Sequence, residues 1–348
     1  MPNSRRKYEE EFNKHAVRLS CSNERSFKAT AEIPGINDML HRRQNQYRPD
    51  GGKTKKANNE QETPNISAEL VKNIFIEEMN KKAKQIGMTN SNFIEPAGFP
   101  STIEHTMSTR DMVKMVIHAS GYKVLAGIWH KKSYKFKIEG NNPREITIKT
   151  TVTLPIIEND YYIFGGKTGE IWGTNEIDGY HMVLITNAPD DGRFVVALRG
   201  ASTAKERCND LKTSLDIAKL LLNNPNETVD DIASDSVSVC LMPLPNPFSS
   251  GQYEIPLIYS KNADKPGHPA SVTKVMTAIT ALDYMTNLDK TIVIQDSDIT
   301  FGMGNYFNVG DIITFRDALY SMMLPSSNTC ATAVARTAGE TIYQKIKE

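Results

Sequence analysis

The sequence lacks any long apolar stretch. No run of about 18 apolar residues occurs among its 348 residues, so no transmembrane helix is predicted. The first 12 residues are polar and charged, without the apolar segment of a secretory signal peptide. We therefore expect the chain, as written, to be cytoplasmic and to form one domain of about 270 residues with an appendage.

Metal-ligating and redox patterns are absent as well. The four cysteines (Cys21, Cys208, Cys240 and Cys330) have neither metal-ligand nor disulfide-framework spacing. None of the seven histidines lies in an H-E-x-x-H pattern, which argues against a metal-dependent hydrolase. The sequence thus predicts no metal and no cofactor.

Nothing in the charge or glycine pattern indicates a polyanionic ligand. Lysine and arginine number 41, as do aspartate and glutamate, so no net charge attracts nucleic acid or an anionic membrane. The segments Gly165–Thr168 and Gly51–Thr54 resemble the last residues of a phosphate-binding loop. Each has a tyrosine, Tyr161 or Tyr47, where the first glycine of that loop is required. Neither segment should bind a nucleotide.

Three short motifs are present: S-x-x-K at Ser271–Lys274, S-x-N at Ser326–Asn328 and K-T-G at Lys167–Gly169. A serine hydroxyl becomes a good nucleophile when a base lies within hydrogen-bond reach. Lys274 follows Ser271 by about one helical turn and would lie on the same face. It can act as that base only if burial and nearby cations lower its pKa. Taken alone, S-x-x-K is also compatible with a solvated lysine on a helix.

The flanking residues indicate a family. They are Tyr259–Pro266 and Pro269–Ala278 around the first motif, Leu324–Thr329 around the second, and Gly165–Gly166 before the third. With these flanks the sequence resembles the S11 serine D-alanyl-D-alanine carboxypeptidases, the low-molecular-weight penicillin-binding proteins. The resemblance implies an α/β (α+β) fold of the β-lactamase/transpeptidase type, an antiparallel sheet flanked by helices. It also implies two partners, peptidoglycan stem peptides ending in D-Ala-D-Ala and β-lactam antibiotics.

The resemblance also implies catalytic roles. Ser271 would attack the carbonyl between the two terminal D-alanines and form an acyl-enzyme, while Lys274 takes its proton. Ser326 would pass a proton to the departing D-alanine. Asn328 would hold the substrate's side-chain amide.

Substrate-binding roles follow for the K-T-G strand. Lys167 would add positive potential, Thr168 would bind the terminal carboxylate, and Gly169 would let the substrate lie against the backbone. The backbone N–H groups of Ser271 and Glu170 would form the oxyanion hole.

Two charged side chains near that strand need separate interpretation. Glu170 stands where the family usually has a small or polar residue, so its charge lies near an incoming carboxylate. Arg207 occupies the position, after the following strands, at which the resemblance predicts an arginine for the same carboxylate. A charge on a helix surface is the other interpretation of Arg207.

The motif order differs from that of the family, in which K-T-G comes last. Residues 67–222 resemble the second half of the catalytic domain and residues 236–348 the first half, with 223–235 as a linker. We therefore predict a circularly permuted or rearranged domain, with Ser67 and Gly339 close together on its surface. A swapped dimer is the competing outcome.

Residues 1–56 belong to neither half, and 57–66 form a linker. Arg5–Phe12 and Ala16–Leu19 resemble the start of an insertion-sequence transposase subunit, whose helix-turn-helix places its second helix in the major groove of DNA. Pro34 falls inside the expected turn. DNA is thus a partner only through residues 1–50, and a basic solvated tail is the alternative.

Three functions remain open: an active carboxypeptidase, an inactive rearranged relic with a DNA-binding fragment, and a β-lactamase. A β-lactamase needs a dedicated group for the deacylating water, and no glutamate motif for it occurs between Ser326 and Lys167 in family order. The family acts outside the cytoplasmic membrane, in contrast to the location expected for this chain.

Periodicity and turn residues predict the elements. Ser67 and Gly87 should bound a helix, Asp190–Gly192 should form a hairpin turn, and Ser108–Asp111 and Thr203–Glu206 should be capping boxes. The predicted strands are Tyr161–Thr168, Tyr180–Thr186, Phe194–Arg199, Val237–Met242 and Ile255–Ser260; the other predicted helices begin at Ser108, Thr203, Ser271 and Thr314.

Overall fold

An antiparallel sheet is built by strands from both sides of the linker. A computed structural model describes residues 67–99, 104–171, 179–243, 254–300 and 302–348. The transposase-like segment 1–56 and the linker 57–66 lie outside the described residues, so the DNA prediction concerns a part of the chain not described.

The described strands form three sheets. The strands are β1 (Ser91–Asn92), β2 (Thr106–Met107), β3 (Ser133–Gly140), β4 (Arg144–Lys149), β5 (Ile163–Ile171), β6 (Gly179–Asn187), β7 (Arg193–Ala201), β8 (Ser236–Leu241), β9 (Tyr259–Lys261), β10 (Thr291–Val293) and β11 (Asp311–Thr314). The main sheet has the order β5-β6-β7-β8-β9, a smaller one has the order β10-β11-β3-β4, and β1 pairs with β2.

Helices cover both faces of the main sheet. They are α1 (Ala68–Gln85), α2 (Thr109–Ser120), α3 (Lys123–Trp129), α4 (Pro155–Glu158), α5 (Ala204–Asn223), α6 (Thr273–Tyr284), α7 (Phe315–Met323) and α8 (Asn328–Lys347). Short 3₁₀ turns occur at Ala270–Val272 and Asp296–Asp298.

The alternation of side chains along β6 explains this layered arrangement. Val183 and Ile185 face a first core shared with α1, α2, α6, α7 and α8, whereas Met182 and Leu184 face a second core shared with α4 and α5. A strand that is apolar at every position must be covered on both faces. The predicted fold class, an antiparallel sheet flanked by helices, is confirmed.

The two predicted halves meet within the main sheet. Strand β7 pairs with β8 in an antiparallel ladder from Phe194 opposite Leu241 to Arg199 opposite Ser236. Arg199 strengthens this junction, since its guanidinium donates to the Asp235 carboxylate at 2.8 Å and to the Ser236 hydroxyl at 2.9 Å. The smaller sheet also joins the halves, because β11 pairs with β3.

Local turn and cap chemistry agrees with most predictions. Asp190 and Asp191 both have positive φ, 55° and 57°, as a tight two-residue hairpin turn requires. Ser67 caps α1 by accepting the Leu70 N–H at 3.1 Å, and Gly87 follows the helix with φ 74°.

The prediction of two reciprocal capping boxes is wrong. Ser108 accepts the Asp111 N–H, but the Asp111 carboxylate accepts from Asn90 N–H and the Ser91 hydroxyl instead. In a capping box the Ser108 N–H would donate to the Asp111 carboxylate, but here it donates to the Asn90 carbonyl oxygen.

The second predicted box fails in a similar way. Thr203 accepts the Glu206 N–H at 3.0 Å, while the Glu206 carboxylate binds the Ser202 N–H rather than that of Thr203. The strand predicted for Ile255–Ser260 is also shorter, Tyr259–Lys261. Pro256 has no N–H to donate to a ladder, so pairing begins after it.

The N-terminal helix of the described region packs on the C-terminal one. A Cβ on Gly339 in α8 would lie 2.1 Å from the Val71 carbonyl oxygen of α1. Val71 lies close after Ser67, so these two ends of the domain are adjacent, as predicted. Gly339 itself is buried and not on the surface, because α1 covers it.

We predict that Gly339→Ala destabilises the protein by about 1–3 kcal/mol, because the new methyl group has no room against the backbone of α1. Gly127 is the matched control, since a Cβ there meets nothing within 4 Å and Gly127→Ala should raise stability by up to about 1 kcal/mol. Urea unfolding measures both. Equal stability of the two variants would contradict the close α1–α8 contact.

Candidate active site

Ser271 and Lys274 lie in hydrogen-bond contact at the start of α6. Ser271 is half-buried in the 3₁₀ turn Ala270–Val272, and Lys274 is in the first turn of the helix. The Lys274 Nζ atom lies 2.7 Å from the Ser271 Oγ atom. This is the contact that a nucleophile and its base require.

Lys274 is fully buried and has three oxygen neighbours. Its Nζ atom lies 2.7 Å from Ser271 Oγ, 2.7 Å from Asn328 Oδ1 and 2.5 Å from the Ala97 carbonyl oxygen. Burial lowers the pKa of Lys274 to about 7, although the charge of Glu95 acts in the opposite direction. A neutral amine has two N–H groups, enough for Asn328 and Ala97, and one lone pair, which then faces the serine hydroxyl.

Lys167 makes the corresponding contact with the second serine. Its side chain is fully buried, and Nζ donates to Ser326 Oγ at 2.8 Å and to the Thr168 carbonyl oxygen at 3.0 Å. Burial lowers the pKa of Lys167 well below its usual value, and the positive charge of Lys274 lowers it further. Ser271, Lys274, Ser326, Asn328 and Lys167 are therefore brought together from both halves.

Backbone strain occurs beside both serines. Ala270 and Ser326 are non-glycine residues with positive φ, 48° and 67°. Such strain costs on the order of 1–3 kcal/mol and is retained where the surroundings impose it. Gly98 is part of those surroundings, since a Cβ there would lie 1.8 Å from the Ala270 carbonyl oxygen.

Gly169 permits close approach between β5 and the nucleophile turn. A Cβ at this position would lie 2.9 Å from the Pro269 carbonyl oxygen and 3.2 Å from the Ala270 Cβ. The backbone of β5 therefore lies directly beside the turn that carries Ser271. This contact sets Glu170, the next residue of the strand, near the nucleophile.

Thr168 contacts a residue that the sequence analysis missed. Its Oγ1 atom lies 2.7 Å from Thr151 Oγ1, and the Thr151 N–H donates to the Leu324 carbonyl oxygen at 3.0 Å. Thr151 thus connects the K-T-G strand to the loop that precedes Ser326. No motif spacing could have indicated this, because the contact depends on the path of the chain between β4 and α4.

Glu95 is a second residue that was missed. Its carboxylate accepts the N–H groups of Ala97 at 2.9 Å and Phe99 at 2.6 Å, which closes a tight turn. Burial raises the pKa of Glu95, while these N–H groups and the Lys274 charge lower it. Because the same turn supplies the Ala97 carbonyl to Lys274, Glu95 helps to position the base.

Arg207 is not a surface charge. Only 6% of the residue is exposed, and Nη1 donates to Glu170 Oε1 at 3.1 Å. The guanidinium carbon also lies 5.4 Å from the Tyr180 ring centroid. The predicted role in carboxylate binding stays a prediction, but Arg207 already has a carboxylate partner within the protein.

A comparison with protein families agrees with this geometry. The family model for D-alanyl-D-alanine carboxypeptidases, peptidase S11, matches residues 70–195 and 254–342, more than half of the chain. The chain belongs to the peptidase S11 family. The matched segments include all three motifs and, of the main sheet, strands β5, β6 and β9 and the start of β7.

Individual relatives match over shorter segments. The chain is 37% identical over 84 residues to a D-alanyl-D-alanine carboxypeptidase of Streptomyces sp. (strain K15), which is 22% of this chain and 29% of the relative. It is 37% identical over 51 residues to a D-alanyl-D-alanine endopeptidase of Escherichia coli (strain K12), 15% and 16% of the two chains. The alignments thus span less than a third of either relative. No solved structure matches at a significant level.

Neither a membrane-spanning helix nor a metal-binding cluster occurs in the part of the chain that the structure describes. Among the described residues, no helix is long and apolar enough to cross a membrane. Within those same residues, no group of three or more histidine, cysteine, aspartate or glutamate side chains could hold a metal ion.

We predict that the free energy of unfolding of the wild type, compared with that of Lys274→Met over a range of pH, shows the contribution of the buried amine. The folded-state pKa of about 7 lies below the value of 10.5 for a solvated lysine, so the unfolded state binds more protons between these values. Wild-type stability relative to the variant should therefore rise from pH 7 towards 10, by at most about 1.4 kcal/mol per pH unit. A difference that stays constant with pH would show an ordinary, solvated amine.

Proposed function

We propose that the chain is a serine D-Ala-D-Ala peptidase that forms an acyl-enzyme on Ser271. The observation that carries this proposal is the 2.7 Å contact between Ser271 Oγ and a buried Lys274 amine whose pKa is lowered to about 7. Members of the S11 family act on peptidoglycan peptides that end in D-Ala-D-Ala. With this pKa a substantial fraction of Lys274 is neutral at physiological pH, the state in which it can accept the serine proton.

The first chemical step joins Ser271 to the substrate. As the Oγ–C bond forms, the serine proton moves to Lys274 Nζ and the carbonyl oxygen becomes an oxyanion. Backbone N–H groups of Ser271 and Glu170 would donate to it, each contributing on the order of 3 kcal/mol of transition-state stabilisation. Gly169 supports this assignment, because its lack of a side chain lets the strand lie directly against the turn that carries Ser271.

The second step breaks the C–N bond and releases D-alanine. The leaving amine needs a proton, which Ser326 would supply from its hydroxyl. The proton that Lys274 took from Ser271 would then pass to Ser326, which leaves Lys274 neutral again. Lys167, whose Nζ lies 2.8 Å from Ser326 Oγ, would hold that hydroxyl in position. Water then attacks the ester carbon, and Ser271 regains its proton as the stem peptide departs.

We also propose that one chain completes this site despite its motif order. The β7–β8 ladder and the α1–α8 contact both join residues 67–222 to residues 236–348. The segment 223–235 spans at most about 45 Å when extended, more than adjacent elements require. Closing a loop of this size adds little entropy cost, about 0.6 kcal/mol for each doubling of length.

We predict that the purified protein is a monomer with one cooperative thermal transition. Multi-angle light scattering over a tenfold range of concentration measures the mass. An obligate dimer would instead indicate that each half pairs with the complementary half of a second chain.

We predict that a fluorescent penicillin labels the protein covalently and that Ser271→Ala abolishes the label, because Ser271 Oγ is the hydroxyl in contact with the buried Lys274 amine. Intact-mass spectrometry measures the adduct. Ser133→Ala is the matched control, since Ser133 is exposed at the start of β3. A folded wild-type protein that forms no adduct would favour the inactive relic, and rapid loss of the adduct would favour a β-lactamase.

A further inference from the structure

Glu170 and Thr168 lie on the same face of β5. They are two residues apart, and alternate side chains of a strand share a face. Their partners on β6 agree, since Thr168 is opposite Met182 and Glu170 is opposite Tyr180, and both of these pack on the second core. A group bound at the Thr168 hydroxyl would thus lie about 7 Å along the strand from the Glu170 position.

The two cations near this strand, Arg207 and Lys167, are both in surroundings that weaken their attraction for an anionic ligand. Arg207 is nine-tenths buried and its Nη1 is held by the Glu170 carboxylate at 3.1 Å. Its Nε atom is buried without a partner among the described residues, so the guanidinium retains hydrogen-bonding capacity that Glu170 does not satisfy. Lys167 is buried next to Lys274, which disfavours its charged form.

Charge compensation differs between the two sides of the cleft. The side that contains Ser271 and Lys274 has the Glu95 carboxylate, which is engaged by the backbone N–H groups of Ala97 and Phe99. On the Thr168 side, the side chain of Glu170 is 36% exposed, so its carboxylate is accessible to solvent. A carboxylate arriving there meets a neutralised arginine and a like charge, whereas a carboxamide meets no repulsion.

We propose that Glu170 makes this cleft select peptides whose leaving group ends in a neutral carboxamide over those whose leaving group ends in a free carboxylate. The inference rests on the proposed function and adds a specificity to it. The bond broken and the atoms transferred are the same for both substrates. Only the electrostatic free energy of the leaving group beside Thr168 and Arg207 differs.

The test compares two substrates that differ in one group, diacetyl-L-lysyl-D-alanyl-D-alanine and its C-terminal carboxamide. Wild-type protein should have the higher kcat/KM for the carboxamide. Glu170→Gln should raise the ratio of kcat/KM for the free acid to kcat/KM for the carboxamide about tenfold, because it releases Arg207 and removes the like charge. The backbone N–H of residue 170 is unchanged, so the oxyanion hole is preserved.

Two controls separate charge release from other effects. Glu145→Gln removes a carboxylate from a different surface ion pair, with Lys135 at 2.6 Å, and should leave the substrate ratio unchanged. Adding Arg207→Met to Glu170→Gln should abolish the gain for the free acid. Raising the salt concentration should shrink the difference between wild type and Glu170→Gln.

The outcomes distinguish this inference from the proposed function. If penicillin still labels Ser271 but the acid-to-carboxamide ratio is the same in wild type and Glu170→Gln, the specificity inference is wrong and the peptidase assignment stands. If folded wild-type protein neither forms the adduct nor hydrolyses either peptide, both are wrong. A rise in the ratio for Glu170→Gln that needs Arg207 supports the inference.

Discussion

The buried amine of Lys274 is the group on which the rest of the site depends. Three separated parts of the chain supply its oxygen neighbours: the turn at Ala97, the turn at Ser271 and the start of α8 at Asn328. A buried ammonium is costly unless hydrogen-bonded, so these three oxygens are needed for the folded state as well as for chemistry. Burial of the amine has an energetic cost for folding. The same burial lowers the pKa of Lys274 to about 7.

Strain and close packing locate the other reacting groups around that amine. Ala270 and Ser326 have positive φ and are each next to, or part of, a reacting residue. Gly98 and Gly169 allow two backbone segments to press against the Ser271 turn, where a larger residue would collide. The sheet, with cores on both faces, provides the rigid support that holds these unfavourable conformations in place.

The sequence was sufficient for the motifs and for most of the elements. Local patterns determine the hairpin at Asp190 and the start of α1 at Ser67, because their causes lie within a few residues. The capping prediction at Ser108 was wrong in part, since Asn90 competes for its N–H from outside the local segment.

Thr151 and Glu95 could not be predicted because their roles arise from contacts with residues distant in sequence. Thr151 matters only once the chain between β4 and α4 brings it to Thr168. Glu95 matters through a turn whose carbonyl reaches Lys274, 177 residues further on. The ion pair of Glu170 with Arg207 is a similar case. The sequence drew attention to each residue separately, but no sequence motif indicates that the two side chains are in contact.

The pairing of β7 with β8 also has a consequence for how the molecule forms. Arg199 and Ser236 are only 37 residues apart, so the centre of the main sheet closes a comparatively short loop. Lys167 and Ser326 are 159 residues apart, and Lys274 and Ala97 are 177 apart. Contacts that close longer loops carry a greater entropic cost and tend to form later. A folding chain would therefore have its sheet in place before either lysine is buried, and the reactive amines would stay solvated and protonated until the final stage.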